Sequence, residues 1–140
     1  MALAMDKLAL ADFMAAEFPQ VAADFSILDV ADMAVRVRLN VDERHLRPGG
    51  TISGPSMFAL ADVSIYLAVL AMIGPKALSV TTNISMDFMR KPAAGADLVC
   101  DARLLKLGRS LAVGDCLIFT DEQEEPVARA SMTYAIPRER

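Results

Sequence analysis

Metal-binding and disulfide chemistry have little to work with in this sequence. The 140 residues include one histidine, His45, and two cysteines, Cys100 and Cys116, 16 positions apart and without CxxC spacing. Neither a metal cluster nor a disulfide framework is expected from that set, and the thiols read as free in a reducing cytosol. Positive charge is also scarce. Lys and Arg number 14 against 18 Asp and Glu, a net charge of −4, which leaves no broad basic face for a nucleic-acid backbone. The longest hydrophobic run, Met57 to Ile73, is 17 residues long, at the short limit for crossing a bilayer. It carries Asp62 and Ser64 and lies between Pro55 and Gly74, so it reads as a buried soluble helix and no membrane association is expected. The N-terminal stretch, residues 1–18, is apolar enough to suggest a signal peptide. Asp6 precedes Lys7, Asp12 interrupts the run and no clean cleavage site follows, so an amphipathic helix stopped before Pro19 is the better reading.

Apolar residues make up 54% of the chain. A small domain with that composition has more hydrophobic surface than its own core hides, which favours a homo-oligomer. The length suits one domain over residues 1–140. "FSILDV" and "MAVRVRLNV" read as strands, the second alternating Met33, Val35, Val37 and Leu39 against Arg36 and Arg38. The charged, Gly/Pro-broken "DERHLRPGGT" is a loop, and a long helix spans 55–74. "LSVTTNISMDFMRK", "DLVCDARLLK", "SLAVGDCLIFTD" and "PVARASMTYAI" then read as four strands in an antiparallel meander, with turns at 92–96, 107–109 and 122–125. The expected layout is α+β: a curled antiparallel sheet of about six strands around one helix that is apolar nearly all round.

Asp62 is anomalous in such a helix. Ser53, Gly54 and Pro55 make a good helix start, which leaves Asp62 two turns in, too far to cap it or to gain from its dipole. A carboxylate there is costly unless bonded or paired. It could be an interface-rim residue held by amides or an arginine, or a functional group. The exposed amide of Gly54 supports the second reading, since an amide that stabilises an oxyanion and a carboxylate that attacks or activates water together suffice for acyl transfer. Seven residues of helix put the two ~10 Å apart, too far to share one carbonyl. Two antiparallel helices across a two-fold axis would bring Gly54 of one chain to Asp62 of the other.

"SGPSMFALAD", with "ALAD" at Ala59 to Asp62, resembles the central-helix motif of the hotdog-fold acyl-CoA thioesterases, in the PaaI-like branch related to phenylacetyl-CoA and 4-hydroxybenzoyl-CoA thioesterases. "VTTNISMDFMRKP" and "KLGRSLAVGDCLIFTDEQEEPVARASMTYAI" are similar to that family's later strands, so the resemblance runs from about Phe25 to Ile136. It implies Asp62 as nucleophile or general base, Gly54 as oxyanion donor, and Thr82, slightly ahead of Thr81, as the residue that orients water. Arg47, Ser53, Arg90, Lys91, Lys106 and Arg109 match positions near substrate and coenzyme A. The resemblance further implies a cytoplasmic homodimer, paired as a dimer of dimers, with no cofactor beyond the coenzyme A of its substrate. Ser53 and Pro55 replace the family's histidine and second glycine, and Arg47 stands where an Asn or His is common. A non-catalytic acyl-CoA binding or sensing protein is the alternative. A hydratase would need a histidine poised with a carboxylate, and His45 reads as a surface loop residue.

Overall fold

The computed structural model describes residues 2–76 and 78–137. In chain order it has helix α1 (Lys7–Glu17), strands β1 (Phe25–Ala31) and β2 (Ala34–Leu39), helix α2 (Gly54–Ile73), and strands β3 (Val80–Phe88), β4 (Leu98–Leu107), β5 (Leu111–Thr120) and β6 (Pro126–Ala135). Among the described residues all strand pairings are antiparallel and the sheet order is β1-β2-β4-β5-β6-β3. The sheet curls about α2 in the hotdog arrangement that the sequence leads one to expect.

The four-strand meander needs correcting. Strands β4, β5 and β6 do follow one another, but β3 pairs with β6, and β4 inserts between β2 and β5. The 92–96 segment is therefore a crossover and not a hairpin turn. Alternation identifies a strand without naming its partner, because every candidate strand here offers one apolar face. Strand β3 consequently becomes an edge.

Helix α2 begins where Ser53 accepts the Ser56 N–H at 3.2 Å, and Pro55 in the first turn has no amide to leave unpaired. It ends at Gly74, whose φ of 93° the preceding residues would resist and whose N–H reaches Leu70 O. Both boundaries lie one residue earlier than 55–74. From Ser64 to Met72 every residue is buried. Although α2 is long and apolar enough to cross a membrane, two thirds of it is buried inside this fold. Gly114 on β5 allows the close packing: a Cβ there would lie 2.8 Å from Arg103 O and 3.3 Å from Ile65.

Helix α1 is shorter than the expected 1–18, because the Asp6 carboxylate accepts the Ala9 N–H and fixes the start at Lys7. The preceding Ala4 and Met5 instead donate to Ala71 O. Leu10 and Met14 face inward, and Phe13 and Phe18 meet Tyr66 of α2 with ring centroids 6.4 and 5.9 Å away.

His45 is also corrected, since it is buried at 7% exposure rather than on the surface. Its Nδ1 accepts the Asp42 N–H at 2.8 Å, and its Nε2 lies 3.4 Å from Asp24 Oδ2. The His45 carbonyl in turn accepts the Ser53 N–H at 2.8 Å and the Ser56 hydroxyl at 3.3 Å. This histidine is thus a brace for the start of α2.

Candidate active site

Asp62 opens into a cleft of about 340 Å³ lined by Met14 of α1 and Phe18 just after it, Val63 and Tyr66 of α2, Ser79 just before β3, Thr81 on β3, and Tyr134 of β6. Among the described residues it is held by neither an arginine nor backbone amides. Thr81 Oγ1 donates to Asp62 Oδ1 at 2.5 Å, and the Tyr134 hydroxyl donates to the same oxygen and lies 2.6 Å from the Asp62 backbone oxygen. Two hydroxyls thus hold one carboxylate oxygen. The other, Oδ2, has no hydrogen-bond partner among the described residues, on a side chain that lines the open cleft. Burial, then the Asp62 charge and the bond to it, push the ionisation of Tyr134 far above the usual tyrosine range. Tyr134 therefore stays a phenol and a donor at every working pH.

Sequence reasoning missed Tyr134. The available signal was its place in "ASMTYAI": alternation with the buried Ala130 and Met132 puts its ring inside, where a phenol needs a polar partner. Between the two threonines, the structure brings Thr81 to Asp62. Thr82 is exposed and donates to Thr133 O at 3.3 Å. A bulge is the cause. Thr81 is paired with Tyr134 and Asn83 with Thr133, so Thr82 is the extra residue. Below the bulge Ile84 and Met86 face inward; above it the inward set is Ser79 and Thr81.

Gly54 lies at the opposite end of β3. It lines a second cleft, of about 440 Å³, with Arg47, Ile52, Met57, Phe88, Arg90 and Lys91. Three of the expected binding cations therefore gather around the expected oxyanion donor. Arg90 is tethered, with Nε 2.9 Å from Glu125 and Nη1 2.5 Å from Pro126 O. Arg47 and Lys91 have no ion pair among the described residues. Ser53 adjoins this cleft, but its hydroxyl is committed to the helix cap, 2.8 Å from the Ser56 hydroxyl. Lys106 and Arg109 are not in this group. They flank the β4–β5 turn, at the sheet end where Leu111 faces Ala135 and Ala135 faces Val80, which is the Asp62 end. Within one chain Asp62 and Gly54 thus belong to two separate clefts.

Residues 49–127 match the family model of the thioesterase superfamily. A Pseudomonas aeruginosa protein named "Putative esterase" is 32% identical over 101 residues, which covers 72% of this chain and 74% of that protein. The fold superposes on a Silicibacter sp. crystal structure described as a "putative thioesterase" with a TM-score of 0.92 and 60% identity, covering 99% of this chain and 96% of that one. A mutant of the phenylacetic acid degradation protein PaaI from Thermus thermophilus is 26% identical with a TM-score of 0.72, covering 85% and 99% of the two chains.

Proposed function

Because this chain belongs to the thioesterase superfamily, we propose that it is a cytoplasmic enzyme hydrolysing acyl-CoA thioesters, with Asp62 as the reacting carboxylate and the Gly54 amide of a second copy as the oxyanion donor. The observation that carries this reading is the split carboxylate: Oδ1 fixed by Thr81 and Tyr134, Oδ2 without a partner among the described residues, on a side chain that lines a mostly apolar cleft. A hydrogen-bonded anchor costs no reorganisation during reaction, and an unpaired oxygen is free to act.

The dimer supplies what one chain separates. Strand β3 is an edge, and Val80, Phe88 and Met89 along it, with Phe58 on α2, are exposed apolar residues. Thr81 and Phe88 mark the two clefts and stand ~23 Å apart along the strand. Two β3 edges paired antiparallel about an axis near Ile84 and Ser85 would set the Thr81 end of one against the Phe88 end of the other. Each Asp62 cleft would then adjoin the other copy's Gly54 cleft. The acyl group lies in the Asp62 cleft, and the pantetheine and phosphates run past Arg47 and Lys91, which have no ion-pair partner among the described residues. Lys106 and Arg109 lie at the same sheet end as Asp62 and are the further candidates for a phosphate contact. No cofactor is needed beyond the coenzyme A already on the substrate. Pairing of such dimers into tetramers is part of this proposal.

In the general-base route Oδ2 takes a proton from water while the water oxygen bonds to the thioester carbon. The carbonyl electron pair moves onto oxygen opposite the Gly54 N–H. Collapse of that oxyanion breaks the C–S bond, and the proton passes from Asp62 to the departing thiolate. In the nucleophilic route Oδ2 itself bonds to carbon and expels the thiolate, and water then opens the mixed anhydride. A single turnover in ¹⁸O-water detects the second route where water opens the anhydride at the Asp62 carbonyl: the label then enters the Asp62 carboxylate and the released acid carries an unlabelled oxygen, whereas the general-base route puts the label in the acid.

The test is thiol release from a panel of acyl-CoAs. Turnover that vanishes in Asp62→Asn and falls on dilution into monomer fits the proposal; full activity in the monomer or in Asp62→Asn overturns it. A specific observation favours the second reading, a binding or sensing protein: Pro55 offers no amide beside Gly54, and Ser53 is occupied with the cap. Tight acyl-CoA binding with no turnover in the wild type would establish it.

A further inference from the structure

One polar atom in the Asp62 cleft takes no part in the chemistry above. Ser79 is 95% buried, at 5% exposure, and lines that cleft, yet its hydroxyl is buried without any hydrogen-bond partner. The neighbouring hydroxyls are all engaged: Thr81 and Tyr134 on Asp62, Thr82 on Thr133 O. The surrounding walls, Met14, Phe18, Val21, Val63 and Tyr66, are apolar or aromatic. A buried hydroxyl without a partner is destabilising, and natural interiors rarely leave one unless a bound group completes it. Ser79 lines the cleft, so a group bound there is the partner within its reach.

We propose that Ser79 is a specificity-determining residue that hydrogen-bonds an oxygen carried on the acyl chain, so that the cleft selects hydroxyl- or oxo-substituted acyl groups over plain hydrocarbon ones. This deepens the thioesterase reading and rests on it for the placement of the acyl chain. Ser79 and Thr81 lie on the same face, two residues apart, hence about 6–7 Å along the strand. Thr81 touches Asp62, beside which the thioester carbon must lie, so the selected oxygen sits a few carbons along the chain rather than at a distant end. A cleft of about 340 Å³ is at the small end for ligand sites, which suits a short or medium acyl group. Discrimination arises from the asymmetry of hydrogen bonding. A plain acyl chain leaves the buried hydroxyl unpaired, whereas a substituted chain supplies the partner it lacks.

The test compares hexanoyl-CoA with β-hydroxyhexanoyl-CoA and δ-hydroxyhexanoyl-CoA, by kcat/KM in the wild type and by calorimetric Kd in Asp62→Asn, which binds without turning over. The expected result is a preference of about tenfold or more for one hydroxylated substrate, falling to near parity in Ser79→Ala and in the similarly sized Ser79→Cys. Equal kcat/KM and equal Kd for all three ligands in the Ser79-bearing proteins would overturn the assignment, as would a preference that survives both Ser79 substitutions. The two readouts separate the proposals. If nothing is hydrolysed but the Kd preference exists and depends on Ser79, hydrolysis fails as a function and the Ser79 assignment stands.

Discussion

The two clefts at the ends of β3 are built from opposite materials. At the Thr81 end a single carboxylate is surrounded by aromatic and aliphatic walls and held by neutral hydroxyls. At the Phe88 end there is no carboxylate in the lining; a helix start, three cations and two methionines meet. The first can attack a carbonyl but has nothing to receive the oxyanion. The second can bind phosphates and an oxyanion but has nothing to attack with. The same helix supplies both, Asp62 in its third turn and Gly54 at its start, so its length keeps them apart in one chain and makes the second copy a chemical requirement of the proposed reaction. The largest break in the comparison is therefore Asp62→Asn, which preserves shape and removes the base. Acyl-CoA hydrolysis measured by thiol release should fall by about 10³-fold with folding unchanged by circular dichroism.

At the other cleft, Gly54→Pro deletes one amide while suiting the first turn of a helix, and kcat should fall by about 10²–10³-fold. Gly54→Ala is the control. Its Cβ would sit 3.5 Å from the Phe88 ring, an ordinary contact, and its N–H is retained, so a loss of less than about tenfold is expected. A mixed dimer of Asp62→Asn and Gly54→Pro chains sharpens the point: one of its two composite sites is intact and random re-forming makes about half the dimers mixed, so about a quarter of the wild-type activity should return when equal amounts of the two inactive proteins are mixed and re-formed.

The threonines give a smaller, more local contrast. Thr81→Val removes a donor from Asp62 Oδ1 while keeping the branched shape, and should lower kcat about tenfold with KM little changed. Thr82→Val at the bulge should leave both within about twofold, because Thr82 reaches only the Thr133 carbonyl.

This pair also shows where a sequence stops being informative. The six strands, the buried helix and the misplaced charge at Asp62 are all legible, because period-two and nearly uniform apolar patterns reflect burial directly. Strand order was not legible, since β3 and β4 carry equivalent faces and only packing around α2 decides which neighbour each takes. A bulge is a one-residue shift in pairing that the strand pattern does not mark, so the resemblance that put Thr82 slightly ahead of Thr81 had nothing local to correct it. Tyr134 and Ser79 could not be assigned for a related reason: what matters is the cleft they share with Asp62, and that cleft joins α1, α2, β3 and β6 across the whole chain. His45 misleads differently. It lies in a segment as charged as any surface loop, yet Asp24 and Asp42 fold over it.

The cations sharpen the comparison by charge rather than by chemistry. Arg47→Glu and Lys91→Glu should each raise KM for acyl-CoA severalfold, with kcat unchanged and the effect shrinking at high salt, since the proposed contact is to phosphate. Arg90→Glu should add a stability loss, because it strands Glu125 and opens the bond to Pro126 O.

The smallest effect expected is on pH dependence, and it too separates the two ends. His45 braces the Gly54 cleft through its carbonyl bonds to Ser53 and Ser56, whereas it has no contact with the Asp62 cleft. Burial, and then the neighbouring Arg44 guanidinium, hold its protonation below the usual histidine value, with Asp42 offsetting part of this. In the unfolded chain a histidine titrates near about 6.5. Between the two values the unfolded chain binds more protons, so the contribution of His45 to stability is fully present above about 6.5 and is lost as pH falls through the folded value. A proton on Nδ1 would also break the bond from the Asp42 N–H. Hydrogen exchange followed from about pH 7.5 down to about pH 5.5 should therefore show residues 42–56 losing protection before the 79–86 segment. The melting temperature of His45→Gln should vary less over the same range than that of the wild type. Equal loss of protection at both ends would mean that acid acts on the fold as a whole and that His45 is not the brace.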